Sequence, residues 1–146
     1  MNQVIFHLAF PIGDIPQTKA FYIDGLGCEL GRETSNSIIL NLYGHQIVAH
    51  VSHIPLAPQK GIYPRHFGLV FTDKTDWENM LKRAKEKNLT FREEAKIRFS
   101  GEITEHGTFF LEDPFYNLLE FKYYSHQEAI FGAQYFAQVG DVTIDN

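Results

Sequence analysis

The sequence predicts an α+β protein built from two similar halves, each running strand, helix, strand, strand, strand. Three observations carry that prediction. The stretch His66-Phe-Gly-Leu-Val-Phe-Thr-Asp73 matches an earlier one, His7-Leu-Ala-Phe-Pro-Ile-Gly-Asp14, with the histidine seven residues ahead of the aspartate in both. A helix-like segment follows each aspartate, and self-similarity of this kind marks a repeated unit. Between the copies lie Pro55, Pro58, Gly61 and Pro64, a density of breakers that no regular element survives.

In the first half, residues 3–10 read as a strand on the strength of Val4, Ile5 and Phe6. Asp14 is placed as an N-cap with Pro16 in the first turn, where a missing N–H does no harm. Residues 18–26 then form a short helix with Phe21, Tyr22 and Leu26 on one face, ended by Gly25 and Gly27. Strands follow at 29–33, 37–42 and 46–52, the last two joined at Tyr43-Gly44. The second half restarts at His66. Thr75 and Glu78 form a capping box, and Trp77, Met80, Leu81 and Ala84 recur at helical spacing up to Asn88. Residues 90–99 make a bulged strand, 100–107 a polar loop, 108–112 a strand, 113–117 a turn and 118–124 the last strand.

This organisation gives one domain over residues 1–124, with module one at about 3–53 and module two at about 62–124. The tail, 125–146, lies outside the repeat, with a helical turn near 126–131. Its Ile130, Phe131, Tyr135 and Phe136 are too apolar for a free end, so it packs on its own body or on a partner subunit.

Composition narrows the function. The 146 residues suffice for one sizeable core. Thirteen Phe, seven Tyr and one Trp suit broad sheet surfaces and also a cavity for a planar ligand. A net charge of -5 argues against nucleic acid or an anionic membrane as partner. The basic stretch from Lys82 to Arg98 is interrupted by glutamates and reads as a solvated helix face. Cys28 is alone, which excludes an internal disulfide and a cysteine-rich zinc site and fits a reducing cytoplasm. There is no signal-peptide pattern, and no window approaches the ~20 apolar residues of a membrane span.

Three positions point to chemistry. His7 and His66 occupy matching first-strand places, and Glu120 sits inside the apolar run Leu118-Leu119-Glu120-Phe121. An unpaired carboxylate there is expensive to bury, and a divalent metal resolves that cost. Each residue taken singly has an ordinary explanation; the matched placement in both halves is what favours a metal. Two imidazoles and one carboxylate form the facial set of non-haem Fe(II) oxygenases, and Mn, Zn, Ni and Co also accept it.

The pattern resembles the vicinal oxygen chelate superfamily, which includes glyoxalase I, bleomycin-resistance proteins, fosfomycin-resistance enzymes and extradiol dioxygenases. The resemblance runs from about Val4 to Tyr124 and is most specific in Asp14…Phe21-Tyr22…Leu26-Gly27 and in Phe110-Leu-Glu-Asp-Pro114…Asn117-Leu-Leu-Glu-Phe121. It implies two βαβββ modules paired into a cupped, eight-stranded mixed sheet around one metal held by His7, His66 and Glu120. Paired modules occur in the family within a chain or between chains, and a homodimer is expected. A fourth family ligand position falls within residues 44–50, where a glutamate is frequent and none is present. His50 is the candidate there, as fourth ligand or behind the ligands, with Gln46 on the same strand face.

Other residues carry less. His106 is read as lying in a loop over the cup mouth and is an acid–base candidate, an exposed loop histidine being its ordinary explanation. Arg65 is expected on the opposite sheet face from His66, Arg98 is read as solvated, and His45, His53 and His126 have no placement argument. The leading expectation is a metal-dependent enzyme acting on a small oxygen-bearing substrate, most of all an extradiol-dioxygenase-like one. A glyoxalase-like lyase or isomerase is the alternative, as is a metal-free protein that sequesters a drug or metabolite.

Overall fold

In the structure, a computed structural model that describes residues 3–140 and 142–143, the duplication is explicit. Strand β1 (His7–Ile12) runs parallel to β4 (His45–Val51), and antiparallel β3 (Ser37–Leu42) and β2 (Glu29–Glu33) complete a sheet in the order β1-β4-β3-β2. The second half repeats it. Strand β5 (Phe67–Phe71) is parallel to β8 (Leu118–Tyr124), followed by β7 (His106–Glu112) and β6 (Thr90–Arg98) in the order β5-β8-β7-β6. The fold class is the expected one, two βαβββ modules, with their eight strands divided between two four-stranded mixed sheets. Of the expected domain and tail, Met1, Asn2, Asp141 and residues 144–146 lie outside the described residues.

Several boundaries shift for identifiable reasons. The first strand starts at His7 and continues through Pro11. Strand β1 has one neighbour, β4, and an edge strand tolerates a proline that cannot donate. Asp14 does cap the first helix, accepting from Gln17 N–H at 2.8 Å; α1 (Ile15–Thr18) then widens into a π-helical segment, Lys19–Gly25. Helix α2 (Lys74–Glu86) is capped by Asp73, which accepts from Thr75 N–H at 2.8 Å, so the expected Thr75–Glu78 box is displaced. A carboxylate at the positive end of the helix dipole is the stronger cap. Strand β6 carries two register shifts, and β7 begins at His106, two residues earlier than expected. In the tail a 3₁₀ turn, Gln127–Ile130, precedes a short hairpin of β9 (Gln138–Val139) and β10 (Val142–Thr143) that is not among the expected elements.

Both halves feed one core. Phe10, Ile12, Tyr22, Ile38 and Leu40 from the first join Phe71, Trp77, Phe109, Leu119 and Phe121 from the second. The Phe10 and Phe67 rings meet at 5.2 Å, and Arg83 Nε donates across the junction to the Gly25 carbonyl at 2.7 Å. Asn117 Nδ2 donates to the Pro11 carbonyl at 2.8 Å, and the fully buried Tyr22 hydroxyl donates to Asp113 Oδ2 at 2.7 Å. Burial pushes the Asp113 carboxyl up, against the pull of hydrogen bonds from Asn117, Tyr22 and Phe115. Tyr22→Phe strips one of these bonds from a buried acceptor and is expected to cost about 1–2 kcal/mol. At this size that lowers the melting temperature by about 3–6 °C, read by thermal unfolding.

The sheets keep their other faces for the site. Along β1, Phe10 and Ile12 are buried while His7, Ala9 and Pro11 are exposed. Along β8, Leu119, Phe121 and Tyr123 enter the core and Glu120 and Lys122 point away, as period-two alternation requires.

Candidate metal centre

Glu120 is the centre of a buried polar cluster. Its backbone pairs with Gly68 in the β5–β8 ladder, and His66, two residues before Gly68, lies ahead of β5 on the same face. His66 Nε2 stands 3.1 Å from Glu120 Oε1. Thr108 Oγ1 donates to Glu120 Oε2 at 2.5 Å, Lys122 Nζ is 3.8 Å from Oε1, and Arg98 Nη1 is 3.7 Å from Oε2.

These partners correct the expectation of a lone carboxylate. Burial alone raises the Glu120 pKa, but the His66 hydrogen bond, the Lys122 charge and the Thr108 hydroxyl outweigh it and hold the group at about 2. Protein groups therefore keep Glu120 ionised. In turn the Glu120 hydrogen bond raises the His66 pKa against the opposing effect of burial. The signs set a pH dependence. A depressed carboxylate contributes stability that is present above its ordinary value of 4.5 and is lost as pH falls toward about 2. His66, being raised, contributes stability that is present below its ordinary value and lost as pH rises through its folded one. Urea unfolding of chelator-treated protein is expected to weaken across the acid window, and Glu120→Gln to flatten that limb.

Each of the two histidines has its Nδ1 tied to an oxygen. The Ile62 carbonyl can only accept, so His66 Nδ1 carries the proton that it receives at 2.8 Å. In the imidazolium form Nε2–H donates to Glu120 Oε1, the hydrogen bond that lowers the carboxyl; in neutral His66 Nε2 turns a lone pair toward that oxygen instead, an arrangement that a cation relieves. At 3.1 Å apart, His66 Nε2 and Glu120 Oε1 are near enough that both would hold one divalent ion. His7 Nδ1 lies 2.7 Å from Gln46 Oε1, and with that carbonyl accepting, its Nε2 is offered to solvent. Tying Nδ1 to an oxygen is the usual support for a metal-binding imidazole.

His7 and the His66–Glu120 pair do not come together in one chain. Among the described residues no three His, Cys, Asp or Glu side chains gather as a metal site. The register places Gln46, not His50, opposite His7; His50 is exposed farther along β4, opposite Pro11. Four strand residues separate His50 from Gln46, about 13 Å, so it does not reach His7. His106 is not an exposed loop residue. It is 2% exposed at the start of β7, and burial lowers its pKa. Arg98 is buried rather than solvated. His45 Nδ1 accepts from Phe6 N–H at 3.2 Å, Arg65 is exposed against Gln59, and His53 and His126 are exposed.

Sequence reasoning missed Thr108 and Lys122. Lys122 had a signal, standing two residues after Glu120 and so on its face. Thr108 faces Lys122 in the β7–β8 hairpin, and only the register brings it to the carboxylate.

Comparison with known proteins agrees with this architecture. A family model described as Glyoxalase/Bleomycin resistance protein/Dioxygenase superfamily matches residues 4–121. The solved glyoxalase/bleomycin resistance protein/dioxygenase from Alicyclobacillus acidocaldarius is 42% identical, covering 88% of this chain and 96% of its own, with a TM-score of 0.83. The fosfomycin resistance protein FosX from Listeria monocytogenes shares the fold at 17% identity and a TM-score of 0.66, over 88% of this chain and 99% of that one. A variant of that FosX, at 16% identity and a TM-score of 0.65 over 92% and 99% of the chains, is complexed with Mn(II) and 1S,2S-dihydroxypropylphosphonic acid. Comparison with curated proteins gave no match. Among the described residues, no helix is long and apolar enough to cross a membrane.

Proposed function

The chain belongs to the Glyoxalase/Bleomycin resistance protein/Dioxygenase superfamily, and from that premise we propose that it is a divalent-metal-dependent enzyme acting on a small oxygen-bearing substrate. The observation that supports this most is the opposed pair, His66 Nε2 and Glu120 Oε1 at 3.1 Å, with the far nitrogen of His66 already tied to the Ile62 carbonyl. His7 of a second copy supplies the third ligand in this reading. Its exposed β1 face, with Ala9 and Pro11, is continuous with the exposed Val4, Ile5 and Phe6, which need cover. A homodimer that lays this face over the His66–Glu120 face of its partner assembles two equal sites.

When bound, the metal supplies Lewis acidity and open positions for substrate oxygens, and as Fe(II) it also supplies redox capacity toward O₂. The chain does the positioning. Gln46 and the Ile62 carbonyl orient the imidazoles, and Thr108 and Lys122 fix the carboxylate. The Phe110 ring meets the edge of His66 at 4.9 Å and helps exclude water. An amide at Gln46, where a fourth carboxylate would complete a lyase-type set, favours three protein ligands and extradiol-dioxygenase-like chemistry with Fe(II); Mn, Zn, Ni and Co fit the same donors. The lone buried Cys28 supports a reducing, cytoplasmic setting.

A second reading has its own support. Because Glu120 is held ionised by protein groups, a metal-free protein that sequesters a small molecule is chemically viable. Elemental analysis followed by oxygen uptake with catechols tests both. Stoichiometric metal with Fe(II)-dependent uptake is expected. Metal without uptake moves the reading to lyase or isomerase, and protein that never retains metal moves it to sequestration.

A further inference from the structure

Beside the His66–Glu120 pair a cavity of about 250 Å³ opens where the ends of β7 and β8 meet the tail that folds over them. His106, Lys122, Tyr124 and Phe99 form its floor, and Phe136 and Gln138 belong to its roof. The roof is fastened on both sides, by Thr104 Oγ1 donating to Gln138 Oε1 and by Gln127 Nε2 donating to the Thr72 carbonyl at 3.0 Å.

Two wall residues carry polar groups that the protein leaves under-used. Lys122 has Glu120 at 3.8 Å and the Tyr124 ring at 5.3 Å, and makes no hydrogen bond among the described residues. His106 Nδ1 donates to the Thr104 carbonyl at 3.0 Å, which makes Nε2 an acceptor. That nitrogen is buried and has no partner among the described residues, although buried polar atoms are nearly always satisfied. The other surfaces mix the rings of Phe99, Tyr124 and Phe136 with small aliphatic side chains and the amides of Gln134 and Gln138. The cavity is smaller than the ~300–1,000 Å³ of drug-sized sites, so its occupant has about one ring.

We propose that this cavity takes a small, singly charged anion with an aromatic or apolar body, its charged oxygen on Lys122 and a hydroxyl donor on His106, under a roof made by the tail. This names a substrate class for the reading above and rests on it only in setting the anion beside the reaction centre.

The test uses full-length, chelator-treated protein, so that chelation by metal contributes nothing, and titration calorimetry with 3-hydroxybenzoate, benzoate and benzamide. Both acids are expected to bind, with benzamide at least about tenfold weaker, as a charge-assisted contact provides. The hydroxy acid is expected to exceed benzoate, and His106→Phe to erase that margin alone. Lys122→Met is expected to abolish the preference for acid over amide, Lys122→Arg to keep it, and Lys82→Met, on an exposed stretch of α2, to change nothing. Acid and amide binding alike, neither acid binding at about 10 mM, or a preference that survives Lys122→Met would overturn the proposal. Metal retention is a separate readout. Its loss with these results intact removes the metal centre and leaves the cavity; the converse removes the cavity alone.

Discussion

His66→Ala and Glu120→Gln proteins are expected to leave purification nearly devoid of divalent metal, while His45→Ala and His53→Ala keep the parent's content. Removing a residue that only supports a ligand already costs about 10–100-fold in affinity, and removing a ligand costs more. Glu120→Gln keeps the side-chain volume but discards the charge that Thr108, Lys122 and Arg98 are arranged around. The variant is thus also expected to melt lower than the parent without metal, because buried cationic neighbours lose their counter-charge. His7→Ala separates the effects. Its exposed side chain has one hydrogen-bond partner, Gln46, so metal is lost with little change in metal-free melting. His50→Ala is expected to retain metal, since the register holds His50 away from His7. Elemental analysis beside thermal unfolding reads all six.

Gly68→Ala is expected to be the most damaging single-methyl change in the molecule. A Cβ at Gly68 would stand 1.7 Å from the carbonyl oxygen of Glu120, which is backbone in a paired strand and has no rotamer to yield. The strands must part or slip, at a cost of about 3 kcal/mol or more. For a chain of this size that is a melting temperature lower by about 6–12 °C, with β8 displaced at the residue that carries the carboxylate. Gly61→Ala, where nothing lies within 4 Å, is the control and is expected within about 0.5 kcal/mol of the parent. A Gly68→Ala protein that melts with the parent would contradict the β5–β8 register.

The fold was legible because its two halves repeat. The spacing of His7 to Asp14 and of His66 to Asp73 locates both first strands and both helix starts, and strand-forming runs locate most of the rest. The strands at 29–33, 37–42 and 118–124 are found where alternation and turn residues put them. The π-helical widening at Lys19–Gly25 was not legible, since one extra residue per turn leaves no mark on a window so short. At the site, Glu120 declared itself by standing in an apolar run. The partners that stabilise it did not, because Thr108 and Arg98 reach it through hairpin register and bulges that sequence spacing does not encode. For the same reason His50 looked equivalent to Gln46: both lie on one strand face, and only the β1–β4 pairing decides which meets His7.

The most direct test of the shared metal centre mixes two inactive chains. His7→Ala protein keeps the His66–Glu120 pair, and His66→Ala protein keeps His7. After unfolding and refolding together, a mixed dimer rebuilds one intact site, from His7 of one chain and the pair of the other, while its second site lacks both histidines. Random pairing makes half of the dimers mixed. Metal content is therefore expected to rise from near zero in either variant alone to about a quarter of the parent's in the mixture. A mixture that holds no more metal than its separate components would contradict a site shared between chains.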